Sequence, residues 1–431
     1  MARPTFPEYS NPCGWNAMLP PRRPSPALTA DISVDFAVVG AGYTGLAAAR
    51  RLHELDPQAR IVVLEATTVG EGSSGRNSGF TNPRVLPTAL TAASTERAQK
   101  LSAIYAQSFD WIREIALSQG DDCDMQQVGA LRGAATELGE ASLRKSVEFL
   151  KASKIAHTEL DRAGIRDRIG ADYYRYGYLM HDTWLMQPAK LIRALAKGLP
   201  DAVTLFEKSP VREMRREGNG WRLVGDGGSV RAPVVVLATN GFIPKFGYLG
   251  TRMATIFTYA AVTEAVQEAD LGHLGQSEAW GLLPAHRLGT TLRRIGRDRL
   301  MVRSLYAHKA EVSPDYAKRE LRARFERRWP GLSHVPFEFV WGGTTAFTMN
   351  GAPAFGQVDQ GVYASGGCNG AGITKGTVLG RGLAEIIKGG ADPAALSALT
   401  GAASFIAPEP FRTVGFEVIS RIERRKAGLE A

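Results

Sequence analysis

Residues 35–45, DFAVVGAGYTG, join a short apolar strand directly to a GxGxxG turn. Residues 45–55, GLAAARRLHEL, then carry the spacing of an amphipathic helix, and residues 59–65, ARIVVLE, form a second apolar strand that ends in Glu65. Glycines in such a turn let backbone N–H groups approach a pyrophosphate closely at the start of the helix. The agreement of strand, turn, helix and acid predicts a dinucleotide-binding βαβ unit that opens a doubly wound sheet.

The carboxylate of Glu65 narrows the choice of dinucleotide. An acid at the end of the second strand accepts hydrogen bonds from the ribose hydroxyls, and it repels a 2′-phosphate because both groups are negative. The sequence therefore favours FAD or NAD over NADP.

Length and composition are those of a folded protein with two domains. The chain has 431 residues, of which 44% are hydrophobic and 22% are charged, and this length exceeds what one hydrophobic core normally serves. The formal net charge of +9 attracts anions. Two basic runs, residues 212–216 and 421–426, contain glutamates and lack the interleaved aromatic residues of a stacking groove. We therefore expect solvated faces there and no nucleic-acid partner.

The cysteines and the N-terminal residues indicate a compartment. Cys13, Cys123 and Cys368 are spaced too widely for a disulfide framework or a CxxC pair, which fits a reducing environment. The first residues lack a signal-peptide pattern, and no run of eighteen apolar residues occurs. We expect a cytoplasmic protein without a transmembrane segment.

Histidine spacing gives no sign of a metal site. The seven histidines show neither an HxxxH nor an HExxH pattern, so we predict that no metal is bound. His181 and Asp182 have the chemistry of an acid–base pair, but the helix start at Gln187-Pro188 follows them closely. A cap or a surface turn is therefore their expected role.

Strand and helix patterns alternate in a way that predicts two interleaved domains. Helical patterns cover residues 94–119 and 137–153, and strand patterns dominate residues 253–264 and 290–305. We expect an α/β protein (α+β in its two-domain form), with a Rossmann-like FAD-binding domain and a discontinuous, antiparallel-sheet substrate domain. The expected segments are an extended arm (1–30, anchored by Trp15 and Leu19), the cofactor domain (31–120, 186–250, and 341–431 with the C-terminal helices) and the substrate domain (121–185 and 251–340).

Two later segments decide between FAD and NAD. Residues 234–240, VVVLATN, form an apolar strand that runs into small and polar residues. Residues 361–374, GVYASGGCNGAGIT, form a strand, a glycine-rich turn and the start of a helix. Such a turn directs backbone N–H groups and the positive end of a helix at one point, which suits the pyrimidine end of a reduced, anionic flavin. Together with the first motif, these segments favour FAD.

These motifs, with residues 73–79 (SSGRNSG) and 341–356 (WGGTTAFTMNGAPAFG), occur in the order found in one enzyme family. Over about residues 31–390 the chain resembles the D-amino-acid oxidase-like flavoproteins, which include glycine oxidase, sarcosine oxidase and gamma-glutamylputrescine oxidase. It is most similar to the gamma-glutamylputrescine oxidase branch. The resemblance implies an FAD-dependent oxidoreductase that transfers hydride to flavin N5 from a carbon bearing nitrogen, in an amine or an amino acid. The imine product would then hydrolyse.

The resemblance also implies where FAD binds. The adenosine and pyrophosphate end would lie at Gly40, Gly42, Tyr43, Thr44, Gly45, Glu65, Ala66 and the backbone of Val211. The residues beside the isoalloxazine would be Ser73, Ser74, Arg76, Asn77 and Ser78. The pyrimidine end would meet Gly370, Ala371, Gly372, Ile373 and Thr374. The strand end Ala238, Thr239 and Asn240 completes the expected site.

Two departures from relatives bear on the flavin. Some relatives attach FAD through a histidine in the SSGRNSG segment or a cysteine near the WGGTTAF segment, where this chain has Arg76 and Thr345. We therefore expect non-covalent FAD. Sarcosine-oxidase-like enzymes hold a lysine over the flavin that helps dioxygen react, whereas no lysine occurs here between Lys245 and Lys309. The missing lysine leaves it undecided whether dioxygen is the electron acceptor. Arg293, Arg294 or Arg303 could supply the positive charge near the flavin instead.

Several side chains of the second domain are candidates for the substrate pocket. Tyr259, Trp280 and Tyr306 are aromatic residues that would shape it, and Arg84 and Arg293 would pair with a substrate carboxylate. For each of them, a place in the core or on the solvated surface is the simpler alternative. No acid–base pair is required, because amine oxidation on a flavin depends mainly on orientation and dry surroundings.

Two other functions fit the same motifs. One is a flavin dehydrogenase that passes electrons to a quinone or carrier protein rather than to dioxygen. The other is a non-catalytic, FAD-bearing subunit of a larger oxidoreductase. The motifs leave the small-molecule substrate, the acceptor and any oligomer open, because fold and cofactor motifs are shared across many substrates.

Overall fold

The computed structural model describes residues 5–431. Its strands are β1 (Ile32–Ser33), β2 (Phe36–Val39), β3 (Ile61–Leu64), β4 (Phe80–Thr81), β5 (Gln126–Gln127), β6 (Ala130–Ala134), β7 (His157–Asp161), β8 (Tyr176–Met180), β9 (Trp184–Leu185), β10 (Val203–Phe206), β11 (Glu213–Glu217), β12 (Gly220–Val224), β13 (Ser229–Ala232), β14 (Val234–Leu237), β15 (Ala254–Thr263), β16 (Gly281–Pro284), β17 (Thr291–Ile295), β18 (Arg299–His308), β19 (Phe337–Phe347), β20 (Ala354–Asp359) and β21 (Val362–Gly366).

The α-helices include those predicted at residues 45–55, 94–119 and 137–153. They are α1 (Gly14–Ala17), α2 (Tyr43–Leu55), α3 (Ser73–Arg76), α4 (Ala92–Ser118), α5 (Glu137–Ala152), α6 (Arg162–Ile169), α7 (Pro188–Lys197), α8 (Pro314–Arg328), α9 (Gly372–Ile387), α10 (Pro393–Thr400) and α11 (Phe411–Ala427). Short 3₁₀ helices lie at Asn240–Phe246, Glu268–Leu274, Pro330–Leu332 and Gly428–Glu430. None of the helices described is long and apolar enough to cross a membrane.

A six-stranded sheet holds the predicted dinucleotide motif. Its order is β10-β3-β2-β14-β21-β20, and all neighbours are parallel except β20 and β21. One face packs against α2, α7 and α9, and the other packs against a four-stranded sheet of order β1-β13-β12-β11. Because both faces are covered, its strands are continuous apolar runs such as Val234–Leu237. The predicted Rossmann-like domain is confirmed.

The second domain is built on an eight-stranded sheet of order β19-β15-β18-β17-β16-β6-β8-β7. Its neighbours are antiparallel except β16 and β6. The outer face forms a core with α6 and α8, in which Val302, Leu321 and Phe325 are fully buried. The next residues along β18, Met301 and Arg303, face the opposite way, towards the six-stranded sheet. The predicted discontinuous, largely antiparallel sheet is confirmed.

Strand β19 crosses one of the expected domain boundaries. The boundary expected at residue 341 falls inside β19, which pairs with β15 along its whole length. The chain therefore changes sheets after Phe347, between β19 and β20. The other expected boundaries stay predictions.

The N-terminal arm lies across both sheets. Trp15 is fully buried in a small core with Met301 and Trp341, and its indole Nε1 donates to the carbonyl of Asn77 over 2.8 Å. Leu19 packs against the same core as a partly buried residue. The arm is thus integrated in the fold, and residues 1–4 of the expected arm lie outside the described residues.

Candidate active site

An elongated cavity runs between the two sheets and joins all the predicted motifs. One end lies at Gly40, Glu65 and Val211, and the other lies at Gly370 and Ile373. Residues of the eight-stranded sheet also line the cavity. A ligand with the length of a dinucleotide would therefore extend from the GxGxxG turn to the cap before α9.

The glycines of the first motif bring strand and helix unusually close together. Gly40 has a φ of 100°, which a side chain would strain. A Cβ atom on Gly45 would stand 1.9 Å from the carbonyl oxygen of Gly40 and 3.3 Å from Cβ of Ala238. Gly45 therefore does not need to line the cavity. Its lack of a side chain allows α2 to start directly against β2 and β14.

Glu65 is held in position by backbone groups. The amide of Ala41 donates to one carboxylate oxygen over 2.9 Å, and the amide of Thr67 donates to the other over 3.1 Å. Burial raises the pKa of Glu65, although these hydrogen bonds oppose the shift. The carboxylate lies at the cavity wall beside Ala66 and Gly42, where ribose hydroxyls can donate to it.

Two helices present their N-termini to the cavity. The N-cap residues of α2 and α9, Gly42 and Ala371, supply no side-chain cap. At α2 the hydroxyl of Ser74 accepts from the amide of Tyr43 over 3.3 Å. N-cap side chains accept from backbone amides in α4, α5, α6, α7, α8 and α10, whereas the short helices α1 and α3 and the C-terminal helix α11 also begin without one. Free N–H groups and the positive helix end attract negative charge. The residues fit FAD, with the pyrophosphate at α2 and the pyrimidine end of the flavin at α9.

The SSGRNSG segment forms the middle of the cavity wall. The hydroxyl oxygens of Ser73 and Thr344 lie 2.9 Å apart, and the side-chain amide of Asn77 donates to the carbonyl of Ser74 over 2.6 Å. Arg76 is buried and donates to the carbonyls of Glu71, Gly342 and Asn11, as well as to the carboxylate of Glu71. Its guanidinium thus holds the arm and β19 together.

The cap before α9 is tied to the end of β14. The side-chain oxygen of Asn240 accepts from the amide of Gly367 over 3.0 Å, and its nitrogen lies 3.3 Å from Sγ of Cys368. Gly370 has a φ of 80°, and a Cβ there would meet no atom within 4 Å. This glycine therefore faces an open cradle. Cys368 also lies 3.3 Å from Oγ1 of Thr345.

The arm closes the opposite end of the cavity, which sequence reasoning did not anticipate. Thr5, Phe6 and Pro7 line the cavity, and the hydroxyl of Thr5 donates to the carbonyl of Val211. The Tyr9 ring lies 3.8 Å from the guanidinium carbon of Arg76. Nothing in the local sequence signals these contacts, because each partner is more than sixty residues away.

Three neighbouring strands supply the wall opposite the cofactor motifs. Arg303 on β18 pairs in register with Ala260 on β15 and with Thr291 on β17, and all three line the cavity. Arg303 donates to the hydroxyl of Tyr306 over 2.9 Å, and this hydroxyl donates in turn to the carbonyl of Arg287 over 3.0 Å. Within residues 5–431, no carboxylate pairs with Arg303.

Tyr259 also lines this wall, as predicted from the sequence. Its hydroxyl accepts from the amide of Val312 over 2.6 Å, and burial raises its pKa to about 12. The phenol of Tyr259 is therefore neutral at ordinary pH, and its hydrogen bond fixes its position in the cavity wall. Arg287 lines the cavity as well, but its charge is paired with Glu423 at 2.9 Å.

Most of the predicted cofactor residues line this one cavity. The residues outside the lining are Gly45, which spaces α2 from β2, and Ala371 and Thr374, of which Thr374 bonds to the hydroxyl of Thr81 at 2.6 Å. The roles of the lining residues in FAD binding stay predictions. In the described part of the chain, no three His, Cys, Asp or Glu side chains are grouped to hold a metal ion.

Three of the proposed substrate residues lie away from the cavity. Arg84 is exposed and pairs with Asp182 in the predicted surface turn. Arg293 is on the correct face of β17, but Trp15 of the arm covers it, and it donates to the carbonyls of Ser78 and Met186. Trp280 stacks on Trp329 in the core behind the eight-stranded sheet, with ring centroids 6.0 Å apart.

Arg294, one of the arginines expected as a source of positive charge, also lies outside the lining. Its guanidinium donates to the carbonyl of Ser277 over 2.8 Å. Of the three arginines named for that role, only Arg303 therefore faces the cavity.

Comparison with known proteins agrees with this geometry. The family model described as DAO, FAD dependent oxidoreductase, matches residues 35–386. Gamma-glutamylputrescine oxidoreductase of Escherichia coli K12 is 27% identical over 385 residues, which cover 86% of this chain and 87% of that protein. Glycine oxidase from Geobacillus kaustophilus has a similar crystal structure, with a TM-score of 0.71 at 18% identity over 86% of this chain and 98% of that chain. L-proline dehydrogenase from P. horikoshii follows with a TM-score of 0.65 at 15% identity, over 87% and 96% of the two chains.

Proposed function

Because the chain belongs to the DAO family of FAD-dependent oxidoreductases, we propose that it oxidises the C–N bond of an amine or amino acid that carries a carboxylate. The observation behind this substrate class is Arg303. This cation stands on the cavity wall opposite the cofactor motifs, and within residues 5–431 it has no acidic partner. A substrate carboxylate would supply the missing negative charge.

Recognition of the carboxylate follows from the fixed geometry of Arg303 and Tyr306. The hydroxyl of Tyr306 takes one donor of the guanidinium and gives its own proton to the carbonyl of Arg287, so both side chains are held before substrate arrives. The remaining guanidinium donors can bind both oxygens of a carboxylate in parallel. An amino acid, or an amine extended by a glutamyl group, has such a carboxylate.

The chemistry that FAD would supply at this site is acceptance of hydride from the carbon that bears nitrogen. The protein's own part is to orient and desolvate the substrate. Ala260 and Leu283 give the wall apolar surface near Arg303, and such surroundings favour the neutral amine from which hydride leaves. The resulting imine would hydrolyse in water to a carbonyl compound and an amine or ammonia.

The positive N-terminus of α9 would serve the same reaction. The cap from Gly370 to Gly372 would hold the pyrimidine end of FAD, and its N–H groups and helix end would stabilise negative charge there. The cap requires no covalent bond, since Arg76 and Thr345 stand where some relatives attach FAD. We accordingly propose that FAD is held non-covalently.

The electron acceptor has a second candidate besides dioxygen. No lysine lines the cavity among residues 5–431, whereas a lysine over the flavin is the feature expected of the sarcosine-oxidase-like enzymes. This observation favours a dehydrogenase that passes electrons to a quinone or a carrier. Both kinds of acceptor therefore have to be compared with the same reduced protein.

The test is an anaerobic absorbance titration of the purified flavoprotein with paired compounds. Each pair consists of an amine or amino acid with a free carboxylate (glycine, N-methylglycine, proline, a gamma-glutamyl amine) and its methyl ester. We expect one free acid to bleach the flavin band and its ester to fail. Admission of air, or addition of a soluble quinone analogue, then identifies the acceptor by the rate at which the band returns.

Two variants sharpen this test. Arg303→Ala should keep its flavin and lose at least about 30-fold in the rate of bleaching per unit substrate, because a charge-assisted pair is lost. Arg84→Ala is the matched control, since Arg84 pairs with Asp182 outside the cavity, and it should behave as the parent protein. Equal bleaching by acid and ester would overturn carboxylate recognition. If no compound bleaches the flavin band, the result would support a non-catalytic FAD subunit.

A further inference from the structure

Helix α11 leaves a wide apolar stripe uncovered. Phe411, Val414, Val418, Ile419 and Ile422 are each between 47% and 70% exposed, although all five are large apolar residues. Their spacing of three and four residues places them on one side of the helix. Most large apolar side chains of this protein are buried, so such a concentration on a single helix face marks an interaction surface.

Another side of α11, about 120° around the helix from the centre of the stripe, is docked on the body of the protein. Phe416 packs on His308 with ring centroids 5.0 Å apart, and Arg412 donates to the carbonyl of Gly250 over 2.7 Å. Glu423 pairs with Arg287 at 2.9 Å. The helix is therefore already packed on the protein through other residues, and the apolar stripe remains exposed while the helix is in place.

Positive charge borders the stripe on both sides. At about 100° per residue, Arg421 and Arg425 lie along one edge. Lys426 lies along the other, where it pairs with Glu423 at 3.4 Å. Arg421 and Arg425 have no acidic partner in the described part of the chain. The exposed acid Glu417 lies about 120° away from the centre of the stripe. An apolar centre with cationic borders complements a surface that is apolar inside and anionic outside.

We propose that the outer face of α11 docks the protein onto an anionic lipid bilayer. A helix of 17 residues is about 25 Å long and would lie in the plane of the interface, with the stripe among the acyl chains and the cations among the headgroups. A second copy of the chain fits less well. Parallel twofold pairing of the stripe would set Arg421 and Arg425 opposite their own equivalents without an acid between them.

The test is co-sedimentation of the full-length flavoprotein with vesicles. Phosphatidylcholine vesicles that contain phosphatidylglycerol should bind the protein, and pure phosphatidylcholine vesicles should bind it much less. Added salt should weaken the binding, because the cations act through screened attraction. Failure to bind the anionic vesicles, or equal binding to both kinds, would overturn the proposal.

Matched variants locate the surface. Val418→Ser with Ile422→Ser should reduce the vesicle partition constant at least about tenfold, and Arg425→Ala should reduce it about fivefold. Leu138→Ser and Lys145→Ala are the controls, since Leu138 and Lys145 are exposed on α5, and they should leave partitioning unchanged. Retention of the flavin band by every variant verifies folding. Unchanged vesicle partitioning of the α11 variants would refute the assignment. It would also be refuted if the parent protein is a dimer without vesicles and the double variant Val418→Ser with Ile422→Ser is a monomer.

Discussion

Substitution of Gly45 by alanine tests the cofactor geometry most directly. The added Cβ would stand 1.9 Å from the carbonyl oxygen of Gly40, against roughly 3.5 Å for an unstrained contact. Strand and helix must therefore separate by about 1.5 Å, and neither partner is a flexible side chain that could turn away. Overpacking of this kind costs about 1–3 kcal/mol of folding stability.

The same displacement should weaken FAD binding. The N–H groups of α2 that would meet the pyrophosphate move away with the helix, and each hydrogen bond to a charged group contributes about 1.5–3 kcal/mol. Loss of one such bond predicts FAD affinity lower by about 10- to 150-fold. Titration of the apoprotein with FAD, followed by quenching of flavin fluorescence, measures this change.

A second glycine supplies the control for Gly45→Ala. A Cβ on Gly415, inside α11, would meet no atom within 4 Å, so Gly415→Ala should keep the parent affinity and gain about 0.5–1 kcal/mol of stability from helix propensity. If Gly45→Ala binds FAD as tightly as Gly415→Ala does, the N–H groups of α2 do not hold the pyrophosphate.

Two further predictions concern charge and attachment. Burial raises the pKa of Glu207, but hydrogen bonds from Arg22, Val69 and Ser25 outweigh it, so the pKa lies below 4.5. The carboxylate thus stabilises the fold above pH 4.5 and ceases to do so as the pH falls through its lowered pKa. Glu207→Gln should cost about 3 kcal/mol at neutral pH and progressively less below pH 4.5 in urea unfolding, and a pH-independent difference would contradict this reasoning. Acid precipitation should release all flavin from the parent protein and from Cys368→Ser alike, whereas yellow protein pellets from the parent alone would indicate a covalent bond at Cys368.

The parts of the fold that were predictable from sequence are those fixed by local pattern. The strand, turn and helix of residues 35–55 are contiguous, and the glycine spacing has one steric solution, so the βαβ unit could be recognised at once. The cap at Gly370 and the end of β14 at Asn240 were predictable for the same reason. Their convergence on one cavity follows from topology, because parallel strands present their carboxyl ends at the same edge of a sheet.

The substrate wall was harder to predict because sequence gives a strand's face but not what covers that face. Arg293 and Arg303 lie on adjacent strands and point to the same side, and they differ only in that Trp15 of the arm covers Arg293. Trp280 was a pocket candidate because of its aromatic ring, with the core as the simpler alternative, and it lies in the core behind the sheet. Contacts such as Thr5 with Val211 span two hundred residues and leave no local signal.

Net charge illustrates the same limit at the level of the whole molecule. A charge of +9 attracts anions in general, yet different anions require different arrangements of the protein. A pyrophosphate needs converging N–H groups, as at α2; a carboxylate needs a planar fork such as Arg303; and a lipid headgroup layer needs cations beside an apolar stripe, as on α11. Because each arrangement depends on geometry that charge alone does not encode, the three sites should respond separately to Gly45→Ala, Arg303→Ala and Arg425→Ala.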